Sequence, residues 1–167
     1  MKPVDRLLLK ELLSADKDVP LPSTKRSKDA PAEAHHWSRP ILMERAAYLR
    51  KLAIFSEGSA SETLKEYPGH ATMLSVRGRA GIAEQHERFA DLFIVLDGRA
   101  TLITGGTVSG AHIIAPGEIR GTAVEGGKRI ELHPGDLAHV PAGVPHQMLV
   151  PGENIFTAFV VKIEEAN

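Results

Sequence analysis

Several ionisable residues crowd one short stretch of the chain, AEQHERFADLFIVLDG at residues 83–98. Alternate side chains of an extended strand point to the same face, so Glu84, His86 and Arg88 would share one face. Asp91 follows three residues later. Burying such groups without partners is costly, so they either face water or form a satisfied site with a metal or an anionic ligand. This stretch is the first candidate for a binding site.

The composition is that of an ordinary soluble globular protein. With 167 residues the chain is long enough for one domain with a core. Its 20 basic and 21 acidic residues nearly cancel, so we expect neither nucleic acid nor a membrane surface as a partner. The absence of cysteine excludes disulfides, zinc–thiolate sites and cysteine nucleophiles. The apolar run at 7–9 is too short for a signal peptide or a membrane span, so we expect a cytoplasmic protein, with a trimmed secretory leader left open.

The first third of the chain predicts two helices joined by an unpatterned connection. Residues 4–13 carry apolar side chains one turn apart, whereas residues 14–36 are rich in Pro, Ser, Lys and Asp and have no apolar period. A second helix is predicted across residues 40–53, with Ser38 as its cap and Pro40 in its first turn. Its apolar face is predicted to comprise Ile41, Met43, Tyr48, Leu49 and Leu52.

The helix at 4–13 is too short to be stable alone, so it must dock on other structure. The helix could dock across a two-fold axis onto the main domain of a second copy of the chain. This isologous contact would bury its apolar face and make a homodimer. Folding back on its own barrel is the alternative. We expect a homodimer and leave open whether the arm docks in cis or in trans.

From residue 57 onward, short apolar runs alternate with breaks that contain Gly and Pro. This pattern predicts an all-β, antiparallel fold in residues 57–167, with residues 1–56 as a helical extension and connection. The Asp–Gly pair at 97–98 predicts a hairpin between two strands. The long Gly-rich segment 104–127 is expected to be a loop that covers the mouth of a barrel.

Two segments resemble the paired motifs of the cupin superfamily. In the first, residues 81–98, Gly81, His86, Asp91 and Gly98 take the places of the motif's Gly, first His, Glu and final Gly. In the second, residues 135–150, the matching residues are Gly135, Pro141, Gly143 and His146. The resemblance implies an antiparallel, jelly-roll-like cupin barrel with an N-terminal helical extension. In metal-binding cupins, two histidines, a glutamate and a third histidine hold a divalent ion, commonly iron, manganese, nickel or zinc.

The metal motif is degenerate in this chain. Arg88 stands in the place of the second His, Asp91 in the place of the Glu, and Val150 in the place of the final Asn. The spacing before His86 is also one residue short. Arginine offers no lone pair and brings a fixed positive charge to a place where a cation would bind. The resemblance therefore indicates the fold more strongly than the metal.

Three interpretations of the cluster stay open. In the first, Arg88 pairs with Asp91, His86 is a hydrogen-bonded neighbour, and the group has a structural role. In the second, Arg88 points outward, and two histidines, His86 and His146, hold a metal with a carboxylate from Asp91 or Glu84; two imidazoles and one carboxylate form the facial set of non-haem iron oxygenases. In the third, the planar fork of Arg88 binds a carboxylate or phosphate of a small molecule.

We therefore predict a cupin-domain protein that binds a small polar or anionic molecule in its barrel. The predicted ligand-binding residues are Glu84, His86, Arg88, Asp91 and His146. The alternative is a metal-dependent enzyme of the oxygenase or isomerase type, with the divalent metal on His86, His146 and Asp91. The sequence assigns no catalytic residue and leaves open whether the protein is an enzyme.

Overall fold

The computed structural model describes residues 33–165. In this range one helix precedes thirteen strands. They are α1 Arg39–Phe55, β1 Ser59–Tyr67, β2 His70–Arg77, β3 Ala83–His86, β4 Phe89–Asp97, β5 Ala100–Thr104, β6 Thr107–Ser109, β7 His112–Ala115, β8 Glu118–Gly121, β9 Ala123–Glu125, β10 Lys128–Leu132, β11 Leu137–Val140, β12 His146–Leu149 and β13 Phe156–Glu164. The helix predicted at 4–13 lies outside the described residues, so its docking and the expected homodimer stay predictions.

The strands form two main sheets in which every neighbouring pair is antiparallel. One sheet has the order β1-β2-β13-β4-β11, the other has the order β10-β5-β12-β3-β8-β7, and β6 and β9 make a small third sheet. A core of Val95, Leu102, Met148, Phe156 and Val160 draws on both main sheets. These features confirm the predicted all-β, jelly-roll-like class with a helix ahead of the sheets.

The helix begins where the sequence predicts, with Ser38 as the N-cap and Pro40 in the first turn. It packs on β1 and β2 through a cluster that includes Leu42, Leu49 and Leu74. Across residues 33–165, no helix is long and apolar enough to cross a membrane.

The predicted apolar face of this helix is partly wrong, because Ile41 is 47% exposed. The buried face consists of Leu42, Arg45, Ala46, Leu49 and Ala53. These residues recur every three or four positions, so they form one continuous stripe along the helix. The predicted residues do not follow this spacing. Arg45 conceals this stripe in the sequence, because a charged residue occupies a buried position. It is accommodated there by an ion pair with Glu62 of β1, with Nη2 2.6 Å from Oε2.

The segment 104–127 was expected to be a loop, but it contains four short strands separated by turns. β8 pairs with β3, and β7 pairs with β8, so the six-stranded sheet continues into this segment. Strands of three or four residues, interrupted by glycines such as Gly110 and Gly117 with positive φ, are too short to show an apolar period. The consequence for the site is that β8 lies directly beside β3.

The Asp–Gly pair at 97–98 does not form the predicted hairpin. β4 pairs with β11 and β13, whereas β5 pairs with β10 and β12. The turn therefore carries the chain from one sheet to the other. Gly98 adopts a φ of +78°, which glycine permits at low cost.

Candidate metal centre

Two histidines and an aspartate meet between the sheets. His86 ends β3 and His146 begins β12, which is its neighbour in the six-stranded sheet. Asp91 reaches them from β4 in the facing sheet. The exposed fractions are 3% for His86, 4% for His146 and 5% for Asp91. The two imidazole rings lie 5.4 Å apart between centroids, so the structure brings the two histidines to one interior surface.

Both histidines use the same ring nitrogen to contact the protein. His86 Nδ1 lies 2.7 Å from Oε2 of Glu118, and His146 Nδ1 lies 3.3 Å from the carbonyl oxygen of Val144. Because both oxygens are acceptors, each Nδ1 must donate the hydrogen. In a neutral ring this leaves Nε2 with a free lone pair. A histidine whose Nδ1 donates to a carboxylate or carbonyl is the usual arrangement around a bound metal.

The two Nε2 atoms converge on carboxylate oxygens. Asp91 Oδ2 lies 3.3 Å from His86 Nε2 and 3.4 Å from His146 Nε2. Oε2 of Glu84 lies 3.6 Å from His86 Nε2. Bonds of about 2.1 Å to one ion place ligand atoms roughly 3.0 to 3.4 Å apart, and Asp91 Oδ2 lies at this distance from each of the two Nε2 atoms.

His86 Nε2 is buried and makes no hydrogen bond to any of the residues 33–165. If the ring is neutral, its lone pair faces the lone pairs of Asp91, which is repulsive. A proton on Nε2 or a cation between the groups would remove this repulsion. The site is therefore chemically suited to a metal ion.

Asp91 is held in its ionised form. Burial alone would raise the pKa of Asp91, but hydrogen bonds from His146 and His86, which form when their Nε2 atoms carry protons, and the positive charge of Lys162 outweigh it and hold this pKa well below its usual range. Lys162 Nζ lies 3.0 Å from Asp91 Oδ1 in an ion pair that lacks hydrogen-bond geometry. An ionised carboxylate is the form that binds a metal.

The carboxylate of Glu84 on β3 also lies close to the two histidines. Ligand atoms of Glu84, His86 and His146 all lie within 4.8 Å of one another. The structure therefore offers Glu84 as a further carboxylate beside the predicted set of His86, His146 and Asp91. Glu84 and His86 share a face of β3, as the alternation of a strand predicts.

A shell of charged residues surrounds the cluster. Arg77 Nη2 lies 3.2 Å from Glu84, and Arg120 Nη2 lies 3.1 Å from Glu118 and 3.6 Å from Glu84. Lys162 adds a third cation beside Asp91. The three carboxylates are Glu84, Asp91 and Glu118, and the three cations are Arg77, Arg120 and Lys162. The charges of this shell therefore balance when both histidines are neutral.

Sequence reasoning missed Glu118, Arg120 and Lys162. The register of β3 with β8 sets Glu84 opposite Arg120 and His86 opposite Glu118. The register of β4 with β13 sets Asp91 opposite Lys162. Only the pairing of these strands could have revealed these neighbours, because the sequence segment around Glu118 shows no strand period.

Arg88 lies outside the cluster. β3 ends at His86, so the alternation that would align Arg88 with it stops, and Arg88 falls in the turn before β4. Its side chain is 62% exposed and pairs with Glu164. The interpretation in which Arg88 pairs with Asp91 is therefore wrong, because the cation beside Asp91 is Lys162.

The comparisons with known proteins agree with this fold. The family model described as "Cupin domain" matches residues 112–162, a range that includes His146 and Glu118 but not His86 or Asp91. A search of curated protein sequences gave no match.

A search of solved structures found similar proteins, of which three are the following. The Thermus thermophilus protein TT1209 is 20% identical, with 66% of this chain and 87% of that chain covered and a TM-score of 0.48. KdgF from Halomonas is 15% identical, with 65% and 82% covered and a TM-score of 0.45. A cupin superfamily protein from Desulfitobacterium hafniense is 17% identical, with 64% and 78% covered and a TM-score of 0.44.

The family match runs from β7 to β13 and so takes in strands of both main sheets and the strand that carries His146. It coincides with the antiparallel architecture and with the second of the two motifs. Residues 112–162 are thus similar to a cupin domain, and this match supports the resemblance of the chain to the cupin superfamily.

Proposed function

We propose that this cupin domain binds one divalent metal ion through His86 and His146, with carboxylate oxygens from Asp91 and Glu84. The observation that carries the proposal is the buried His86 Nε2, which has no hydrogen-bond partner in residues 33–165 and faces carboxylate oxygens and a second imidazole. Mixed imidazole and carboxylate ligands suit iron, manganese, nickel or zinc.

A bound ion at this place would act as a Lewis acid on a small polar or anionic ligand, as an isomerase requires, and a redox-active ion such as iron would supply the chemistry of an oxygenase. The residues of the chain would hold the site for it. Glu118 fixes the tautomer and orientation of His86, and Lys162 keeps Asp91 ionised and in place. Burial between the sheets excludes bulk water from both imidazoles.

Calorimetric titration of chelator-treated protein with zinc tests the proposal. We expect saturation at one ion per chain, because the described ligands converge on a single point. Failure to bind zinc, or binding only to several weak and equivalent sites, would contradict the proposal. The exposed residue His139 of β11 supplies the control, since His139→Ala removes an imidazole that faces away from the site and should leave the titration unchanged.

Replacing Glu118 is expected to weaken metal binding without removing a ligand. Glu118→Gln keeps the size of the side chain but removes the carboxylate charge that accepts from Nδ1 of His86 and orients its ring. The expected loss of zinc affinity is about 10- to 100-fold. The matched control is Glu66→Gln, at an exposed position of β1. Equal zinc affinity in Glu118→Gln and the wild type would show that Glu118 does not support a metal ligand.

The balanced charges of the shell favour a second candidate function. Because three cations already match three carboxylates, the cluster does not need an ion for neutrality. In this alternative the cupin binds a small polar or anionic molecule without metal. The zinc titration separates the two functions, since the alternative requires that the chelator-treated protein take up no stoichiometric metal.

A further inference from the structure

We propose that a cleft next to the histidine cluster is a second binding site, for the oxyanion of a small carboxylate or phosphate compound. Arg77 and Arg79 are the residues that would bind it. Neither arginine is a metal ligand in the proposed function, so the two proposals stand or fall separately.

The cleft lies at the end of β2, where the chain turns toward β3, and encloses about 670 Å³. This volume is within the range of roughly 300 to 1,000 Å³ that is usual for small-molecule sites. Beside the arginines, the polar residues Ser59 and Glu57 line its wall, and Ile82 and Val150 contribute apolar surface. A small organic anion would therefore find both polar and apolar contacts.

Two glycines make room for the two guanidinium groups. A Cβ added to Gly58 would lie 2.5 Å from Arg79 Nε, and a Cβ added to Gly81 would lie 2.7 Å from Arg77 Nη1. Any other residue at either position would have to displace an arginine. Both arginines therefore line the cleft, each next to a glycine that leaves room for its side chain.

The hydrogen bonds of the two arginines leave donors for a ligand. Arg79 donates to the carbonyl oxygen of Glu57 through Nε, at 2.6 Å, and through Nη2, which leaves its Nη1 for a ligand, and no carboxylate in residues 33–165 forms an ion pair with it. Arg77 uses Nη2 for Glu84, while its Nη1 lies against Gly81. Planar guanidinium groups with free N–H donors match the geometry of carboxylate and phosphate oxygens.

The turn that carries these residues is fixed at both ends. The amide of Gly78 donates to the carbonyl oxygen of Gly58 at 2.7 Å, and the amide of Gly81 donates to the carbonyl oxygen of Met148 at 2.7 Å. A site that is held in place before the ligand arrives loses less entropy on binding.

Titration of chelator-treated protein with succinate and, separately, with inorganic phosphate tests this site without any contribution from metal. We expect at least one of the two anions to bind with a stoichiometry of one. Binding of succinate alone would identify a carboxylate ligand, and binding of phosphate alone a phosphate ligand. If neither anion binds, the proposal is overturned.

Variants locate the bound anion. Arg79→Gln should weaken binding about ten-fold or more, because a charged hydrogen-bond donor is lost. Gly81→Ala should weaken it too, because the new Cβ displaces the flexible end of Arg77. The control Arg129→Gln, at an exposed position of β10 outside the cleft, should bind as the wild type does. Wild-type affinity in Arg79→Gln, or loss of binding in His146→Ala, would place the anion elsewhere and overturn the proposal.

Discussion

His86→Ala is expected to lower the affinity for zinc by about a hundred- to a thousand-fold. Structural zinc sites with four ligands bind with roughly 10 to 16 kcal/mol, so one ligand accounts for about 2.5 to 4 kcal/mol, which corresponds to a factor of roughly 70 to 900. The loss should be larger than that caused by Glu118→Gln, because His86 would contact the ion directly and Glu118 only supports it.

Calorimetry with chelator-treated variants measures this loss, and circular dichroism shows whether the variant is folded. His146→Ala should lose a similar amount, because its Nε2 is placed like that of His86. His139→Ala, which removes an exposed imidazole, should not. If His86→Ala and His146→Ala bind zinc within about three-fold of the wild type, zinc is bound elsewhere.

Gly98→Ala is expected to destabilise the protein by about 2 to 5 kcal/mol. The left-handed conformation of Gly98 costs a residue with a Cβ about 1 to 2 kcal/mol. The added Cβ would also lie only 1.9 Å from the carbonyl oxygen of Ile155, so the backbone must shift, at a further cost of about 1 to 3 kcal/mol.

Gly69 provides a matched control for this prediction. It has the same φ of +78°, but an added Cβ would meet nothing within 4 Å. Gly69→Ala should therefore show only the conformational cost. Urea denaturation measures both free energies of unfolding. Equal destabilisation by the two substitutions would mean that the turn at Gly98 relaxes freely and that its contact with Ile155 does not constrain the crossing between the sheets.

The class of the fold could be predicted from the sequence, but the connections between strands could not. Alternating apolar runs with Gly and Pro breaks predicted antiparallel strands, and these are present. The period of a strand does not say which sheet it joins, so the Asp–Gly pair at 97–98 predicted a hairpin where the chain changes sheets. The segment 104–127 was predicted to be a loop because its strands are only three or four residues long and show no apolar period.

The candidate site could likewise be predicted only in part from the sequence. His86, His146 and Asp91 could be predicted from motif spacing, and the structure brings them together. Arg88 was expected on the face of His86 because the strand was assumed to continue, whereas it ends at His86.

The charged residues that orient and balance the cluster could not be predicted. Glu118 lies 32 residues from His86 in the chain, and Lys162 reaches Asp91 from the last strand. Their positions depend on the register of strand pairs, which is set by tertiary packing and leaves no local signal.

Anomalous X-ray diffraction from crystals grown with zinc tests the central claim most directly, because it locates the metal independently of any affinity. The account predicts one zinc peak per chain between the sheets, about 2.0 to 2.2 Å from Nε2 of both His86 and His146 and from a carboxylate oxygen of Asp91 or Glu84. A zinc peak confined to surface residues, with both imidazoles free of metal, would contradict it.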